Sequence, residues 1–328
     1  MRFRATSVAV VTLTIAVVGL SACTDGPDVM AADPTAQGSM AGMPSVHAGH
    51  ASMTTLPPAG ALAPTRHLGP QGNAGQFVVE CEHSHTAPDD PIVYPGLPGM
   101  SHSHDFFGNE TTDASSTLAS LLEGDTTCQN QQDTASYWAP TLLDGGEPVE
   151  PGLGTAYYRA APGVDPTRVV AYPAGFKMIA GDLTATAEDP RPVDIAGWSC
   201  GVTTRLSGEP PNCPDSAPLR GVITFPDCWD GERIDSPDHR SHVANSADGE
   251  CPATHPVHIP QLTFAITYPI SGTDHELTLA SGSTYGLHSD FFNAWNQDEL
   301  TDKVELCLHR DAVCGLSSNR SEEALFSG

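Results

Sequence analysis

Eight cysteines between Cys81 and Cys314 constrain the fold more than any other feature of the chain. An even set of cysteines in an exported chain predicts a disulfide framework, here of four bridges. About 105 pairings are open to eight cysteines. We favour the pairing of chain neighbours, because short loops close at low entropic cost; the pairs are Cys81–Cys128, Cys200–Cys213, Cys228–Cys251 and Cys307–Cys314. A structural zinc site is the competing interpretation, which the lack of any CxxC pair disfavours.

The N-terminal segment predicts export. Arg2 and Arg4 precede an apolar run over residues 8–20 that is too short for a comfortable membrane-spanning helix. The run ends in LSAC, which resembles the bacterial lipobox, where the cysteine receives a diacylglycerol and becomes the new N-terminus. We therefore predict a signal peptide over residues 1–22 and a lipidated Cys23 that anchors the protein to the cell membrane on its extracytoplasmic side. An ordinary secretory signal is the alternative.

The charge of the chain limits its partners. The formal net charge is −26, and it becomes −28 when the signal peptide leaves with its two arginines. Such a chain repels nucleic acid and anionic lipid headgroups, so we expect no nucleic-acid partner. Binding of a polyanionic polymer is also disfavoured, unless the few arginines gather in one groove. For most of the surface, the charge indicates solubility.

Residues 23–73 predict a tether between the lipid and the folded domain. They lack hydrophobic periodicity and are rich in Ala, Gly, Pro, Ser and Thr, which is typical of a disordered linker. Within them lie Met40, Met43, His47, His50 and Met53. Thioether and imidazole groups in a mobile segment suit copper, and methionine favours Cu(I). The alternative is a linker in which these residues are incidental.

Residues 74–320 predict a single domain, followed by a tail over residues 321–328. Helical patterning is confined to residues 117–123 and 298–308. Short apolar or alternating runs, separated by Gly and Pro, are common; they cover residues 75–80, 155–159, 168–171, 221–225, 261–268 and 276–279. This pattern predicts a mainly β fold, an antiparallel β-sandwich or jelly-roll-like domain with long disulfide-stapled loops and few short helices.

Five polar segments concentrate the residue types that carry chemistry: SHSHDFFGN (101–109), FPDCWDG (225–231), SPDHRSH (236–242), CPATHPVHIPQL (251–262) and LHSDFFNAW (287–295). Histidines occur in pairs within them. His102 and His104 are two apart, so their rings share one face of an extended strand. The same holds for His288 and Asp290.

Two further pairs are three residues apart, which suits a helical turn and fails in a strand; they are His239/His242 and His255/His258. Neutral imidazoles with carboxylates bind zinc, copper or another divalent ion. The candidate metal ligands in the domain are His102, His104, His239, His242 and His288. The alternative for any single histidine is that it braces a loop by bonding to main-chain carbonyls.

A metal-free enzyme is also compatible with the sequence. Polysaccharide lyases need an Arg or Gln to neutralise a uronate and a His or Tyr to move protons. The residues of these types here are Arg220, Gln261, His258 and Tyr285. A glycosidase needs two carboxylates at a set separation. The nucleophile-elbow, dinucleotide, phosphate-loop and HExxH motifs are absent from the sequence.

These segments, in this order with YWAPTL, YYR, GFKMIAGD, WSC and LRGVITFPDCWDG, resemble the domain-of-unknown-function family 1996 over residues 80–307. That family occurs in secreted fungal proteins, sometimes beside carbohydrate-binding WSC modules, and in exported bacterial proteins. The resemblance implies work on a cell wall or polysaccharide, without an established activity. Its blocks map onto His102, His104, Asp182, Cys200, Cys228, Trp229, Asp238, His239, His242, Cys251, His255, Pro260, Gln261, His288, Asp290 and Trp295.

This chain departs from the family pattern at two positions. Ser289 stands where the family block leads us to expect Gly, and Asn245 where an aromatic residue often follows. The serine adds a side chain next to His288, which we expect to narrow the site.

The leading hypothesis is an extracytoplasmic lipoprotein that binds a cell-envelope or environmental polysaccharide through one His/Asp-rich cleft; cleavage of that polysaccharide, by a lyase or a glycoside hydrolase mechanism, is left open. The residues proposed for catalysis or binding there are His102, His104, Asp105, Asp238, His239, His242, His255, His258, Gln261, His288 and Asp290. If the protein is an enzyme, a His or Asp serves as general acid/base. The alternatives are a copper- or zinc-binding lipoprotein and a non-catalytic adhesion module of the cell wall.

Overall fold

The computed structural model describes residues 75–203 and 205–315. The predicted signal peptide, lipidated Cys23, the Met/His segment and the tail over residues 321–328 lie outside the described residues. Two α-helices are present in the described part, α1 (Leu118–Glu123) and α2 (Gln297–Lys303), and a π-helical turn (Val304–Leu308) continues α2. Both helices fall where the sequence patterning predicts them.

Most of the ordered elements are strands, as the alternating runs predict. Within the described residues they are β1 (Gln76–Cys81), β2 (His83–Ala87), β3 (His104–Gly108), β4 (Ser136–Pro140), β5 (Leu142–Asp144), β6 (Glu147–Pro148), β7 (Gly154–Arg159), β8 (Lys177–Gly181), β9 (Ala196–Cys200), β10 (Leu219–Thr224), β11 (Cys228–Trp229), β12 (Val243–Ala244), β13 (Val257–His258), β14 (Gln261–Thr267), β15 (Leu277–Leu279), β16 (His288–Phe292) and β17 (Val313–Cys314). Short 3-10 turns cover Pro166–Arg168 and Thr284–Gly286.

The predicted strand over residues 168–171 is wrong. Asp165 accepts a hydrogen bond from the main-chain NH of Thr167 and caps a 3-10 turn that begins with Pro166. Proline fixes φ near the helical value and suits the first position of such a turn. The apolar residues that follow therefore continue from a turn and do not form a strand. Val169 is buried in the core without joining a sheet.

Two large sheets form the domain. Sheet A has the strand order β17-β1-β7-β14-β10-β9, and sheet B the order β2-β3-β4-β16-β8. All their strand pairs are antiparallel except β1–β17. Two three-stranded ribbons, β12-β11-β13 and β15-β5-β6, complete the pairing.

The inner faces of the two sheets pack against each other through aromatic rings. Phe264 of sheet A lies with its centroid 5.2 Å from Tyr137 and 5.4 Å from Phe107, both of sheet B. These rings belong to one continuous buried cluster that draws on both sheets. Burial of large aromatic side chains is the main stabilising contribution in such a core. The architecture is therefore the predicted mainly β, antiparallel sandwich.

The other face of sheet B, here called its outer face, carries a second and smaller apolar cluster. Phe106, Trp138 and Phe292 lie on the strands, and Ile92 and Leu121 cover them from a loop and from α1. Successive side chains of a strand alternate between faces. The residues between these members point into the sandwich core instead.

Four disulfides hold the loops. They join the chain neighbours favoured from the sequence: Cys81–Cys128, Cys200–Cys213, Cys228–Cys251 and Cys307–Cys314. Their Cα atoms are 3.8–6.1 Å apart. A loop closed by a disulfide has less conformational entropy to lose on folding, so these bridges stabilise a fold rich in long loops.

Candidate functional site

Two histidines project from the outer face of sheet B at the same end. His104 begins β3 and His288 begins β16, on either side of β4. His104 lies opposite Pro140 of β4, and Asp290 of β16 lies opposite Trp138 of the same strand. Residues two positions apart on a strand lie on the same face. His288 therefore lies opposite Pro140, in the same cross-strand row as His104. Hydrogen-bonded strands thus hold both imidazoles.

His102 completes a group that we call the three-histidine centre: His102, His104 and His288. Its ring centroid lies 4.3 Å from that of His104 and 5.2 Å from that of His288. The third centroid separation, His104 to His288, is 6.2 Å. One ring nitrogen of each residue lies within 4.8 Å of the corresponding atoms of the other two.

These separations are near the value for imidazoles around one ion. A metal–nitrogen bond of about 2.1 Å places the ring centroid about 3.2 Å from the metal, so tetrahedral ligands have centroids about 5 Å apart. The three observed separations bracket this value.

Main-chain carbonyls fix the tautomers of the two strand-borne histidines. His104 Nδ1 lies 2.9 Å from the carbonyl oxygen of Asp89, and His288 Nδ1 lies 2.7 Å from that of Gly286. A carbonyl oxygen only accepts, so each Nδ1 carries the hydrogen and donates it. The lone pair is then on Nε2, and His104 Nε2 is buried without a hydrogen-bond partner. This arrangement is typical of metal-ligating histidines.

The imidazoles of the three-histidine centre are neutral at pH 7. Burial, together with the charges of His102 and two arginines, lowers the pKa of His288 from 6.5 to about 4. Burial lowers the pKa of His104 well below its ordinary value, and burial also lowers the pKa of His102. Neutral imidazole is the form that binds metal ions.

Two buried aspartates, Asp90 and Asp290, also lie close to His104. Oxygens of Asp90 and Asp290 and a nitrogen of His104 all lie within 4.8 Å of one another. Asp90 Oδ1 accepts hydrogen bonds from the main-chain NH groups of Ile92 and Val93, each at 2.9 Å. Both oxygens of Asp290 are buried without a partner, and burial raises the pKa of this carboxyl well above its ordinary value.

Two arginines lie close enough to His288 for their charges to lower its pKa. They are Arg191 and Arg240. Arg240 is exposed, and its Nη1 donates to the carbonyl oxygen of Ile179 in β8 at 3.3 Å. Arg191 is buried, and none of its guanidinium nitrogens has a hydrogen-bond partner in the structure.

Asp105 and Ser289 point away from the three-histidine centre. Each follows or precedes a site residue by one position, and the alternation of the strand turns it to the inner face. Asp105 accepts hydrogen bonds from Thr86 and Thr141 at 2.7 and 3.2 Å. Ser289 Oγ donates to the carbonyl oxygen of Trp138. The prediction that Ser289 narrows the site beside His288 is therefore wrong.

The segment SPDHRSH forms a loop that its own side chains brace. His242 bonds through both ring nitrogens, to Ser236 Oγ and to the carbonyl oxygen of Lys177. His239 Nδ1 bonds to a carboxylate oxygen of Asp235 at 2.8 Å. Asp238 accepts from Ser236 Oγ and from main-chain NH groups of the same loop. None of these three predicted residues joins the three-histidine centre.

The segment around residues 251–262 also lies apart from the centre. His255 bonds to Thr254 and to the carbonyl oxygen of Ser241, and His258 Nδ1 lies 3.2 Å from the sulfur of Cys251. Asp227, both cysteines of the 228–251 disulfide and His258 have ligand atoms within 4.8 Å. Both sulfurs are bonded to each other, so they supply no thiolate for a metal.

Gln261 lies on sheet A. It pairs with Arg159, while the next residue pair along these strands, Leu262 and Tyr158, is part of the sandwich core. Alternation therefore turns Gln261 to the outer face of sheet A, on the opposite side of the sandwich from the three-histidine centre.

The site contains residues that were not selected from the sequence. They are Asp89, Asp90, Arg191 and Arg240. Arg240 belongs to a segment already chosen for its histidines, and the Asp89–Asp90 pair immediately precedes a proline-rich loop that leads to His102. The scarcity of basic residues in an acidic chain is the only sequence signal for Arg191.

The fold and the site define a class: disulfide-stapled, antiparallel β-sandwich proteins with a histidine–aspartate cluster on one outer face. The family model described as Domain of unknown function (DUF1996) matches residues 90–295. The chain belongs to this family. The matched range contains the three-histidine centre, both buried aspartates and both arginines. No curated protein and no solved structure matches the chain.

Neither helix in the described residues is long and apolar enough to cross a membrane.

Proposed function

We propose that the protein binds a divalent transition-metal ion, of the zinc or copper class, at the three-histidine centre. The observation that supports this most is the convergence of three neutral imidazoles whose ring nitrogens lie within 4.8 Å of one another. The loop-bracing alternative accounts for the Nδ1 atoms of His104 and His288 but leaves the buried Nε2 atoms of His102 and His104 without partners. Burying a polar nitrogen without a partner costs about 1–3 kcal/mol. A bound ion removes that cost.

The donor set determines the class of ion. Imidazole nitrogen suits zinc, copper, nickel and iron, whereas magnesium and calcium prefer oxygen ligands. Three protein ligands leave a position for water or an exogenous ligand, as in catalytic rather than structural zinc sites. Asp90 and Asp290 supply oxygen donors beside His104 for an ion that takes a mixed set.

The test is metal content and metal affinity of untagged full-length protein. We expect one zinc or copper ion per chain by elemental analysis, and a rise in melting temperature when either metal is added to protein stripped with a chelator. His102→Ala should weaken the binding strongly. His255→Ala is the matched control, because it removes a half-exposed imidazole from a loop outside the centre.

A second variant separates the domain from the predicted Met/His segment. We substitute His47 and His50 by Asn in the full chain, leaving the domain unchanged. Stoichiometric metal in this variant and its loss in His102→Ala assigns the ion to the three-histidine centre. Equal metal binding in wild type, His102→Ala and His255→Ala would overturn the proposal, and loss of metal only with His47 and His50 would confine binding to the tether.

We also propose that the domain works outside the cytoplasm on a lipid anchor. Support comes from the four disulfides, which persist in oxidising compartments and are rare in the cytosol. Mass spectrometry of the N-terminal peptide should find a diacylglyceryl group on Cys23, and Cys23→Ser should release the protein from the membrane fraction. An unprocessed N-terminus beginning at Met1 would refute the export proposal.

A further inference from the structure

Arg191 is a buried cation whose donors are unsatisfied. Its exposed fraction is 7%, and Nε, Nη1 and Nη2 are all buried without a hydrogen-bond partner in the described part of the chain. Arginine is rarely buried unless it is paired, because an isolated charge in a protein interior loses its hydration without compensation. Here burial lowers the pKa of the guanidinium from 12.5 to about 10, which still leaves it charged at pH 7. An unpaired charge of this kind indicates an absent anionic partner.

The described residues offer no acid in contact with this guanidinium. Asp182 is the carboxylate whose charge acts on it, yet the two form no ion pair within 4.0 Å among the described residues. Asp182 Oδ1 instead accepts hydrogen bonds from the main-chain NH and the hydroxyl of Thr184 at 2.9 and 2.7 Å. Within residues 75–203 and 205–315, therefore, no side chain forms an ion pair or a hydrogen bond with the Arg191 guanidinium.

The position of Arg191 links it to the three-histidine centre. Gly181, the last residue of β8, pairs with His288 of β16, so Asp182 emerges directly beside that histidine. Arg191 lies within range of both Asp182 and His288. Arg240 lies within the same range and is held to β8 through the carbonyl of Ile179. In a chain of net charge −26, this end of sheet B gathers two of the few cations.

We propose that Arg191 forms a carboxylate-binding subsite beside the three-histidine centre, with Arg240 at its margin, and that the ligand of the centre is an acidic molecule such as a uronic acid. A guanidinium presents its donors as a planar fork that matches the two oxygens of a carboxylate. The ion at the centre and the fork then hold two different groups of one ligand. The part of the inference that places a second group of the ligand on the ion rests on the proposed metal site. Carboxylate binding by the Arg191 guanidinium can be tested without metal.

The experiment measures binding of D-glucuronate to the full-length protein, metal-free and zinc-loaded, by calorimetry. Glucose serves as the uncharged probe and inorganic phosphate as the second oxyanion. Arg191→Gln removes the cation and the fork. Arg310→Gln is the matched control, because it removes the same charge from an exposed position that makes no contact with the centre.

We expect wild type and Arg310→Gln to bind glucuronate with the same affinity and not to bind glucose. Arg191→Gln should bind glucuronate about tenfold more weakly or worse, since removing one partner of a charge-assisted hydrogen bond costs more than 1.4 kcal/mol. Arg191→Lys keeps the charge without the fork and should lie between them. It also serves as the folded comparison if Arg191→Gln does not fold.

Three results would overturn the inference. They are equal glucuronate affinity in Arg191→Gln and Arg310→Gln, no glucuronate binding to wild type, and binding of phosphate without glucuronate. Failure of the metal proposal is distinguishable, because zinc affinity should be the same in Arg191→Gln and wild type. Glucuronate binding through Arg191 in a protein that takes no metal would keep the carboxylate subsite and refute only the proposed function.

Discussion

His288 should make the metal-free domain lose stability as the solution is acidified. Its pKa falls from 6.5 in the unfolded chain to about 4 in the fold. Between these two values the unfolded chain binds a proton that the folded domain does not, so stability decreases as pH falls from about 6.5 to about 4. Above pH 6.5 neither state binds the proton, and the contribution no longer changes.

The size of the effect follows from the same pKa. One pKa unit corresponds to about 1.4 kcal/mol, so the full change is about 3 kcal/mol. Other groups titrate in this range, and a matched variant is needed to remove their contribution. His288→Asn is suitable, because an Asn side-chain nitrogen can take the place of Nδ1 and donate to the Gly286 carbonyl, which His288 contacts at 2.7 Å, and because Asn does not titrate.

The assay is urea unfolding in EDTA, followed by tryptophan fluorescence at about pH 7 and about pH 4 for both proteins. We expect wild type to lose about 3 kcal/mol more than His288→Asn between the two conditions. Equal losses would show that His288 is solvated in the folded domain, and the argument for a dry, neutral three-histidine centre would fail. His288→Ala is the poorer variant, because it also leaves the carbonyl without a donor and opens a cavity.

Further predictions concern the other two histidines of the centre, one disulfide and the buried Asp133. His102→Ala should weaken zinc binding and change the free energy of unfolding by less than about 0.5 kcal/mol. His104→Ala should weaken zinc binding and also lower the free energy of unfolding by about 2–3 kcal/mol, because a main-chain carbonyl loses its hydrogen-bond donor. Zinc titration and urea unfolding of both variants check this. Replacing Cys228 and Cys251 by Ser should lower stability by about 3 kcal/mol, the loop-entropy value for a separation of 23 residues, and an unchanged urea midpoint would contradict this. Burial raises the pKa of Asp133 to about 8, so wild-type stability should fall as pH rises from about 5 to about 8 while Asp133→Asn does not follow; parallel pH curves would refute it.

The fold class could be predicted from the sequence because it depends on local patterns. Apolar or alternating runs marked four of the six strands of sheet A, namely β1, β7, β10 and β14, but none of the strands of sheet B. The two short helices begin at side chains that cap them, Thr117 and Asn296. The disulfides also join near neighbours, so the lowest-entropy pairing is the one found. The strand predicted over residues 168–171 is absent, because a turn signal, Asp165 before Pro166, outweighed the apolar run that follows it.

The candidate site could be predicted best where a strand presents it, or where, as for His102, a residue lies two positions from such a strand residue. His104, His288 and Asp290 lie on paired strands, and a spacing of two residues keeps side chains on one face. His239, His242 and His255 lie in loops whose internal hydrogen bonds decide their direction, and no periodicity reports that. The pairing of β3 and β16 with β4 is a tertiary property.

The three-histidine centre combines two rigidly held imidazoles with one adjustable imidazole. His104 and His288 are held by strand pairing and by hydrogen bonds from Nδ1, so the positions of their Nε2 atoms are set by the sheet. His102 precedes β3, is partly exposed, and its Nε2 has no hydrogen-bond partner among the described residues. Its closest centroid separation, 4.3 Å to His104, is shorter than the about 5 Å of tetrahedral ligands. Metal binding therefore requires movement of His102 rather than of the sheet. We therefore expect a change in the size of the ion to weaken binding less than removal of His104 or His288 does.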